Sequence, residues 1–168
     1  PAAKGFVAAG FNVAGANYQV VADIKKHVYG KNKGNMEDKA RVGSVYYNRG
    51  VVHGIITVEA IRKAQEKYGK GKALTGEQMR SGLENLNLDD ARLKALGATG
   101  FMPPLKITCA DHEGPGKVKF QQWDGSQWKV ITDWVESDRP LVRGMIEESA
   151  AAYAKEKGIK PRDCSKES

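Results

Sequence analysis

The sequence predicts a mixed α/β fold, and three observations support this class. Apolar residues recur at helical spacing in several segments, the longest from Val42 to Tyr68. After Pro103-Pro104 the apolar period changes to two, as it does in half-buried strands. An Asp-Gly pair, Asp124-Gly125, separates two such alternating runs and indicates a β-hairpin.

The N-terminal part of the chain predicts one strand and two helices. The glycine-bounded apolar run from Gly5 to Val13 is typical of a buried strand and its exit loop. Helical spacing from Val20 to Val28 predicts a helix that stops at Gly30, and the polar run 31–39 predicts a loop. The longest helix follows over 42–68.

Three glycines, Gly43, Gly50 and Gly54, fall early in this longest helix. Each costs a helix up to about 1 kcal/mol relative to alanine. We therefore expect close packing of these glycines against a sheet or a neighbouring backbone. The alternative is a helix that is broken in its first half.

The C-terminal part predicts further helices and a set of strands. Thr75 and Gln78 fit a capping box, so a helix should begin there and continue through Leu86. The other predicted elements are a short helix over 88–96, strands over 105–109, 117–123 and 127–132, and a helix from Pro140 to Lys157. That last helix carries an apolar stripe of Leu141, Val142, Met145, Ile146, Ala150 and Tyr153.

Composition is that of one folded domain of 168 residues. The net charge of +7 would suit nucleic acid, but the lysines are spread along the chain, and no arginine-rich stripe with interleaved aromatics is present. A solvated basic surface is the expected reading, with a nucleic-acid-binding module as an alternative. The longest apolar stretch, 51–61, is too short to span a bilayer, so a soluble chain is expected. Because the chain opens on Pro1, a targeting segment has been removed or the chain starts partway through a longer protein.

Residues Cys109, Asp111 and His112 are the best catalytic candidates in the sequence. In a continuing strand, however, Cys109 and Asp111 face one way and His112 the other, so local sequence does not align a nucleophile with a base. One cysteine and one histidine also fall short of the four ligands of a usual zinc site. No phosphate-binding loop is present either. We expect no catalytic residue, no metal and no cofactor; a small basic α/β enzyme that uses Cys109 and His112 is the alternative.

The segment Tyr46-Tyr47-Asn48-Arg49 combines two phenols, an amide and a guanidinium near the start of a long helix. Aromatic walls with a few polar groups are typical of a small-molecule cleft. In the alternative, one tyrosine belongs to the core and Arg49 pairs with a surface acid.

Several motifs together resemble the type I periplasmic solute-binding proteins of ABC importers, in the branched-chain amino acid binding class. The run from Val42 through Ala64 resembles a lobe-1 helix of that family, and 75–83 resembles its next helix. Asp111-His112-Glu113-Gly114, followed by 118–128, resembles the family's Asp-His-x-Gly turn and terminal hairpin. Ala2-Ala3-Lys4-Gly5 resembles the step after a lobe-2 ligand-binding strand.

The resemblance implies a two-lobed type I periplasmic-binding-protein fold, of which this chain is the C-terminal part. Residues 1–15 would end lobe 2 and cross over, 16–113 would belong to lobe 1, and 114–168 would return to lobe 2 with the hairpin and the last helix. Family members are roughly twice as long. The missing part would be the N-terminal half of the same protein, together with its signal sequence.

The resemblance also implies a function: capture of a small polar solute in the periplasm and delivery to a membrane permease, without covalent chemistry. An amino acid, an amide or an aromatic acid is the expected ligand, held while the lobes close. The positions that carry over as ligand-binding candidates are Ser44, Tyr46, Tyr47 and Asn48, with Phe11 and Asn12 at the crossover.

Export would also disfavour free thiols, and we therefore predict a disulfide between Cys109 and Cys164. The helix from Pro140 to Lys157 spans roughly 27 Å at about 1.5 Å per residue, long enough to return the polar tail toward Cys109. Two independent thiols are the alternative.

Overall fold

The computed structural model describes residues 3–166. Pro1 and Ala2, which belong to the predicted segment 1–15, lie outside the described residues, as do Glu167 and Ser168 of the predicted segment 114–168. The helices are α1 Gln19–His27, α2 Val45–Tyr68, α3 Gly76–Glu84, α4 Asp90–Ala95 and α5 Arg139–Lys157. Within residues 3–166, none of them has the length and hydrophobicity needed to cross a membrane.

The strands form one mixed-length antiparallel sheet and one short ribbon. They are β1 Val7–Gly10, β2 Asn87–Leu88, β3 Leu105–Lys106, β4 Lys117–Trp123, β5 Trp128–Val130 and β6 Val135–Glu136. In the larger sheet β4 pairs with β1, with β5 and, at its other end, with β6, while β2 pairs with β3. The register of β1 against β4 sets Val7 opposite Gln122, so the start of the chain and the region after 114 share one sheet.

The hydrophobic core lies in the helical region of the chain. Every buried apolar residue among residues 3–166 falls between Val13 and Leu105, with Phe101 and Leu88 the largest of the fully buried side chains. The edge of the Tyr18 ring packs on Phe101 at a centroid distance of 5.2 Å. This core joins α1, the first half of α2, α4 and the short ribbon into one body.

Local end signals account for the starts of α2 and α3. Ser44 caps α2 by accepting a hydrogen bond from the backbone N–H of Tyr47, so α2 begins at Val45 rather than at Val42. Thr75 and Gln78 form both halves of the capping box, which confirms the predicted start of α3.

The predicted role of the α2 glycines is wrong for two of the three. A Cβ added to Gly50 or to Gly54 would meet nothing within 4 Å, and α2 is continuous across both, so the broken-helix alternative is also wrong. Gly43 precedes the helix at φ 94° and approaches the backbone of Ala16 closely. The glycine that allows two helices to touch is Gly82 on α3, which packs against Ala60 of α2.

Several predicted strands are shorter or more exposed than expected. The strand predicted for 105–109 ends at Lys106, because the chain turns back on itself through a bridge between Thr108 and Asp111. The helix predicted over 88–96 is shorter, because Leu88 belongs to β2 and α4 starts at Asp90. The first strand is confirmed in place but is not buried, since its residues alternate between exposed and half-buried.

The predicted hairpin is confirmed. Asp124 Oδ1 accepts hydrogen bonds from the backbone N–H groups of Ser126 and Gln127, which closes the turn between β4 and β5. These bonds lower the pKa of the Asp124 carboxyl well below its usual range. Strand β6 was not predicted.

The apolar stripe of α5 is present but is not packed against the rest of the described chain. No residue of α5 is buried, and Leu141 and Met145 are 62% and 63% exposed. Apolar side chains in or next to the larger sheet are also exposed, among them Phe6, Val130 and Ile131. The sheet and α5 therefore each present apolar surface that residues 3–166 leave uncovered.

Candidate functional site

Three of the predicted ligand-binding residues meet around the side chain of Arg49. The guanidinium carbon lies 4.9 Å from the ring centroid of Phe11 and 5.7 Å from that of Tyr46. Asn12 Oδ1 accepts a hydrogen bond from Arg49 Nε at 3.3 Å. Ring faces and a hydrogen bond together restrict the orientation of the planar guanidinium.

The outer edge of this guanidinium is open. Among residues 3–166, the two terminal nitrogens of Arg49 have no hydrogen-bond or ion-pair partner, so the alternative in which Arg49 pairs with a surface acid is wrong for the described chain. Phe11 is 45% exposed and Tyr46 is 72% exposed, so the cluster faces solvent. A planar, oriented and unpaired guanidinium is suited to bidentate binding of a carboxylate.

An apolar groove of about 380 Å³ opens beside this cluster and shares Phe11 with it. The volume falls within the roughly 300–1,000 Å³ that is usual for small-molecule sites. The groove runs between α2, the loop after α4 and the segment that leads into β4. Its lining side chains are Phe11, Val52, His53, Ile56, Met102, Pro103, Leu105, Glu113, Pro115, Lys117, Val118 and Ser137.

Two of the charged groups that line the groove are already neutralised. Glu113 Oε1 lies 2.6 Å from Arg143 Nη1, and Lys117 Nζ lies 2.5 Å from Glu136 Oε1. Arg49, which reaches the groove through its contact with Phe11, has by contrast no ion-pair partner among residues 3–166.

Asn48 lies beneath the site rather than in it. The side chain is fully buried, and its Nδ2 donates to the carbonyls of Val13 at 2.8 Å and Gly15 at 2.9 Å, with that of Gly43 at 3.4 Å. Its Oδ1 has no hydrogen-bond partner among residues 3–166. Asn48 thus ties the loop after β1 to the first turn of α2, and this fixes the backbone that carries the cluster.

Asn12, Ser44 and Tyr47 also make contacts within the protein. Asn12 Nδ2 donates to the carbonyl of Val45 at 2.9 Å, which connects the loop after β1 to α2. Asn12 Oδ1 accepts from Arg49 Nε, which orients the guanidinium. Ser44 is occupied as the α2 cap. The Tyr47 hydroxyl lies 3.1 Å from the Tyr29 hydroxyl, and burial, followed by that contact, raises the pKa of Tyr47.

The six predicted positions therefore separate into two groups. Phe11, Asn12 and Tyr46 meet at the solvent-facing cluster, whereas Ser44, Tyr47 and Asn48 support the start of α2 from within. Sequence reasoning considered Arg49 together with this segment but did not include it among the ligand-binding candidates, and it did not consider His53 for the site at all. Their spacing from Tyr46, three and seven residues along one helix, could have identified them as neighbours on one face.

The predicted disulfide between Cys109 and Cys164 is present, with a Cα–Cα distance of 5.7 Å. The thiol of Cys109 is consumed in this bond and cannot act as a nucleophile while the bond is intact. His112 Nε2 instead lies 3.2 Å from Glu84 Oε1, which also accepts from Arg162 at 2.7 Å. Within residues 3–166, no group of three or more histidine, cysteine or acidic side chains could hold a metal ion.

The turn at 111–114 is held by two arginines of α5. Arg139 donates to the Asp111 carboxylate and to the carbonyl of Gly114, and Arg143 donates to Glu113 and to the carbonyl of Ala110. These residues are four apart and so share one face of α5. The ionic contacts fix α5 to the helical body although its apolar stripe remains exposed.

A charge pair with a buried carboxylate stabilises the body itself. Glu59 on α2 is 9% exposed and accepts two hydrogen bonds from Arg92 on α4, both of 2.7 Å. The Arg92 guanidinium lowers the pKa of the Glu59 carboxyl, against the opposing effect of burial. This pair lies at the α2–α4 contact, away from Arg49.

No protein-family model matches the chain, and no curated protein matches it. Two solved structures do. A protein of the Pseudomonas fluorescens group that is described as an ABC transporter permease superimposes on 97% of this chain with a TM-score of 0.93 and 48% sequence identity. A branched-chain amino acid ABC transporter protein from Thermus thermophilus, solved with bound valine, covers 85% of the chain with a TM-score of 0.61 and 21% identity.

The second likeness confirms the predicted fold class: a mixed α/β chain that forms part of a type I periplasmic-binding-protein fold. The chain spans 39% of the length of the first protein and 37% of the second. Both neighbours are ABC transporter proteins.

Proposed function

We propose that this chain belongs to a solute-binding protein that captures a small polar solute and delivers it to the membrane permease of an ABC importer. The observation that carries the proposal is the fold shared with a branched-chain amino acid ABC transporter protein solved with bound valine, over 85% of the chain with a TM-score of 0.61. The likeness to a protein described as an ABC transporter permease, with a TM-score of 0.93, supports a place in an ABC transporter system. The fold shared with the valine-bound neighbour supports binding, rather than transformation, of an amino acid, an amide or an aromatic acid. No covalent step, cofactor, metal or nucleic acid takes part in this function.

The solute site of this chain is the cluster of Phe11, Tyr46 and Arg49 with its adjoining groove. Solvent-facing rings, one oriented cation and an apolar groove provide the mixture of apolar wall and few polar groups that small ligands require. The groove also lies where segments 3–15 and 114–166 meet the body formed by 16–113, which is where closure of two lobes would enclose a ligand.

The exposed apolar side chains of the larger sheet and of α5 are the surfaces on which the N-terminal half of the protein packs. An amphipathic helix normally buries its apolar stripe, yet no residue of α5 is buried. We assign 1–15 and 114–168 to lobe 2 and 16–113 to lobe 1, and the pairing of β1 with β4 supports this grouping of the two ends. The chain alone should therefore unfold over a broad temperature range or self-associate. A sharp two-state melt of a monomer would contradict this organisation.

The protein acts in the periplasm. The Cys109–Cys164 disulfide supports this location, because disulfides persist in oxidising compartments and are rare in the cytosol.

Isothermal titration of the natural full-length protein with a panel of amino acids, their amides and aromatic acids tests the proposal. At least one compound should bind, and Tyr46→Ala should weaken that binding by about 1–3 kcal/mol through lost packing. Tyr68→Ala is the matched control, because Tyr68 ends the same helix. Absence of any binding would reject the function, and equal affinity of both variants would move the site elsewhere.

A further inference from the structure

We infer that Arg49 and the groove beside Phe11 form a site for a small carboxylate with an apolar body, for example an aryl- or alkyl-acetic acid. The inference rests on the proposed solute binding and adds the chemical class of the ligand. Neither neighbour's description assigns a ligand to these residues.

The charge requirement follows from the unpaired guanidinium. Among residues 3–166 the terminal nitrogens of Arg49 have no partner, whereas Arg92, Arg139 and Arg143 each contact a carboxylate. Two parallel N–H donors on one planar group match the two oxygens of a carboxylate. A neutral amide offers one acceptor and places a donor against a cation, so the site should reject it.

The orientation of Arg49 is set before a ligand arrives. Asn12 Oδ1 accepts from Nε and leaves the opposite edge of the guanidinium, with both terminal nitrogens, directed away from Asn12. Asn12 is itself 1% exposed and fixed to the carbonyl of Val45. A preoriented cation loses little conformational entropy on binding, which favours affinity for a small ligand.

The apolar body follows from the groove. Phe11 contacts the guanidinium and also lines the groove, whereas Arg49 itself is not part of the lining. A ligand whose carboxylate is held by Arg49 would therefore extend its apolar body past Phe11 toward Val52 and Ile56. His53, one turn beyond Arg49 on α2, lies at the same groove and is exposed. Because Glu113 and Lys117 of the lining are paired with Arg143 and Glu136, the remaining wall offers mainly apolar contact.

The test uses the natural full-length protein with four probes: phenylacetate, its neutral amide phenylacetamide, acetate and valine. Binding is followed by isothermal titration and by the NMR signal of the Arg49 side-chain Nε–H. Phenylacetate should bind and shift that signal, while phenylacetamide and acetate should bind at least tenfold more weakly, lacking the charge or the apolar body. The Arg49→Gln variant should lose roughly tenfold or more in phenylacetate affinity.

Arg62→Gln is the matched control, because Arg62 lies on the same helix, is exposed and loses the same charge. Phenylacetate affinity should change less than twofold in that variant. The inference is overturned if phenylacetate does not bind, if its amide binds equally well, or if Arg49→Gln and Arg62→Gln behave alike. A solute of the wider panel that binds in any of these cases with the same affinity for the natural protein and for Arg49→Gln, valine included, would leave the proposed solute-binding function standing, so the two failures are distinguishable.

Discussion

Replacing Gly82 with alanine should destabilise the protein by about 2 kcal/mol or more. A Cβ at this position would lie 2.2 Å from the carbonyl oxygen of Ala60 and 2.9 Å from the Cβ of Ala64. The first distance is more than 1 Å shorter than an ordinary contact, and the atom in the way is helix backbone, which cannot rotate aside. Relief therefore requires α3 to move away from α2.

The magnitude follows from two opposing effects. Overpacking in a core costs typically 1–3 kcal/mol and occasionally more. Alanine recovers up to about 1 kcal/mol of helix propensity, but the overlap with Ala60 is severe and Gly82 is buried. A net loss of about 2 kcal/mol corresponds to a fall in Tm of roughly 4–8 °C for a domain of this size.

Gly54→Ala is the matched control, because it makes the same chemical change in the middle of α2. A Cβ there would meet nothing within 4 Å, so the variant should gain about 0.5–1 kcal/mol of stability. Thermal unfolding of both variants, made in the natural full-length protein and followed by circular dichroism at 222 nm, measures the difference. If Gly82→Ala melts at or above the temperature of Gly54→Ala, the assigned helix contact is incorrect.

Three further predictions concern stability. Asn48→Ala should lower the free energy of unfolding by about 2–4 kcal/mol in urea titration, because buried loop carbonyls lose their donor; a loss below about 1 kcal/mol would show that this clamp is dispensable. Joint replacement of Cys109 and Cys164 by serine should lower the free energy of unfolding by about 4 kcal/mol, because the unfolded chain is no longer closed into a loop with a sequence separation of 55. Equal urea midpoints of the natural protein and the double variant would refute this. Arg92 lowers the pKa of Glu59, so the pair stabilises fully above the unfolded carboxyl pKa of about 4.3 and less as pH falls through the folded pKa. Glu59→Gln should flatten the loss of stability below about pH 4.5, and an unchanged acid slope would contradict that assignment.

The elements that could be predicted from sequence are those whose cause is local. The capping box at Thr75 and the hairpin turn at Asp124 each depend on side chains that form hydrogen bonds to the backbone within three residues. The local sequence is therefore sufficient to predict both features. The exposure of β1 could not be predicted in this way. An apolar strand of four residues looks the same in sequence whether or not a second layer covers it.

The helix glycines show the same limit. The sequence analysis predicted close packing at Gly50 and Gly54 because glycine destabilises a helix and is usually kept there for a packing reason. Which glycine actually faces a neighbouring backbone depends on how the helices cross, and this cannot be read from the sequence. Gly82 makes the contact and stands in a shorter helix with no distinctive pattern around it. The open positions at Gly50 and Gly54 instead lie on the solvent side of α2, as do Tyr46 and His53.

The sequence identifies the stretch of chain that contains the candidate site, but it was not used to decide which of its side chains face the same side of the helix. Tyr46, Tyr47 and Asn48 are consecutive, and successive helical residues are about 100° apart, so they cannot all face one cleft. Tyr46 faces solvent together with Arg49, while Asn48 faces the core. A helical-spacing argument applied within the segment would have grouped Tyr46 with Arg49 and His53.

The parts of the molecule differ in how they depend on the proposed N-terminal half. Full burial of a leucine or methionine side chain contributes about 1.5–3 kcal/mol to the free energy of unfolding. Leu141 and Met145 of α5 remain more than half exposed. Contact with a covering part of the protein would therefore stabilise α5 considerably. The cluster at Arg49 is fixed differently. Asn12 and Asn48 hold its backbone, and both are buried beside a core that ends at Leu105. The orientation of Arg49 is therefore set by the part of the chain that is already packed, and it does not depend on what covers the sheet and α5.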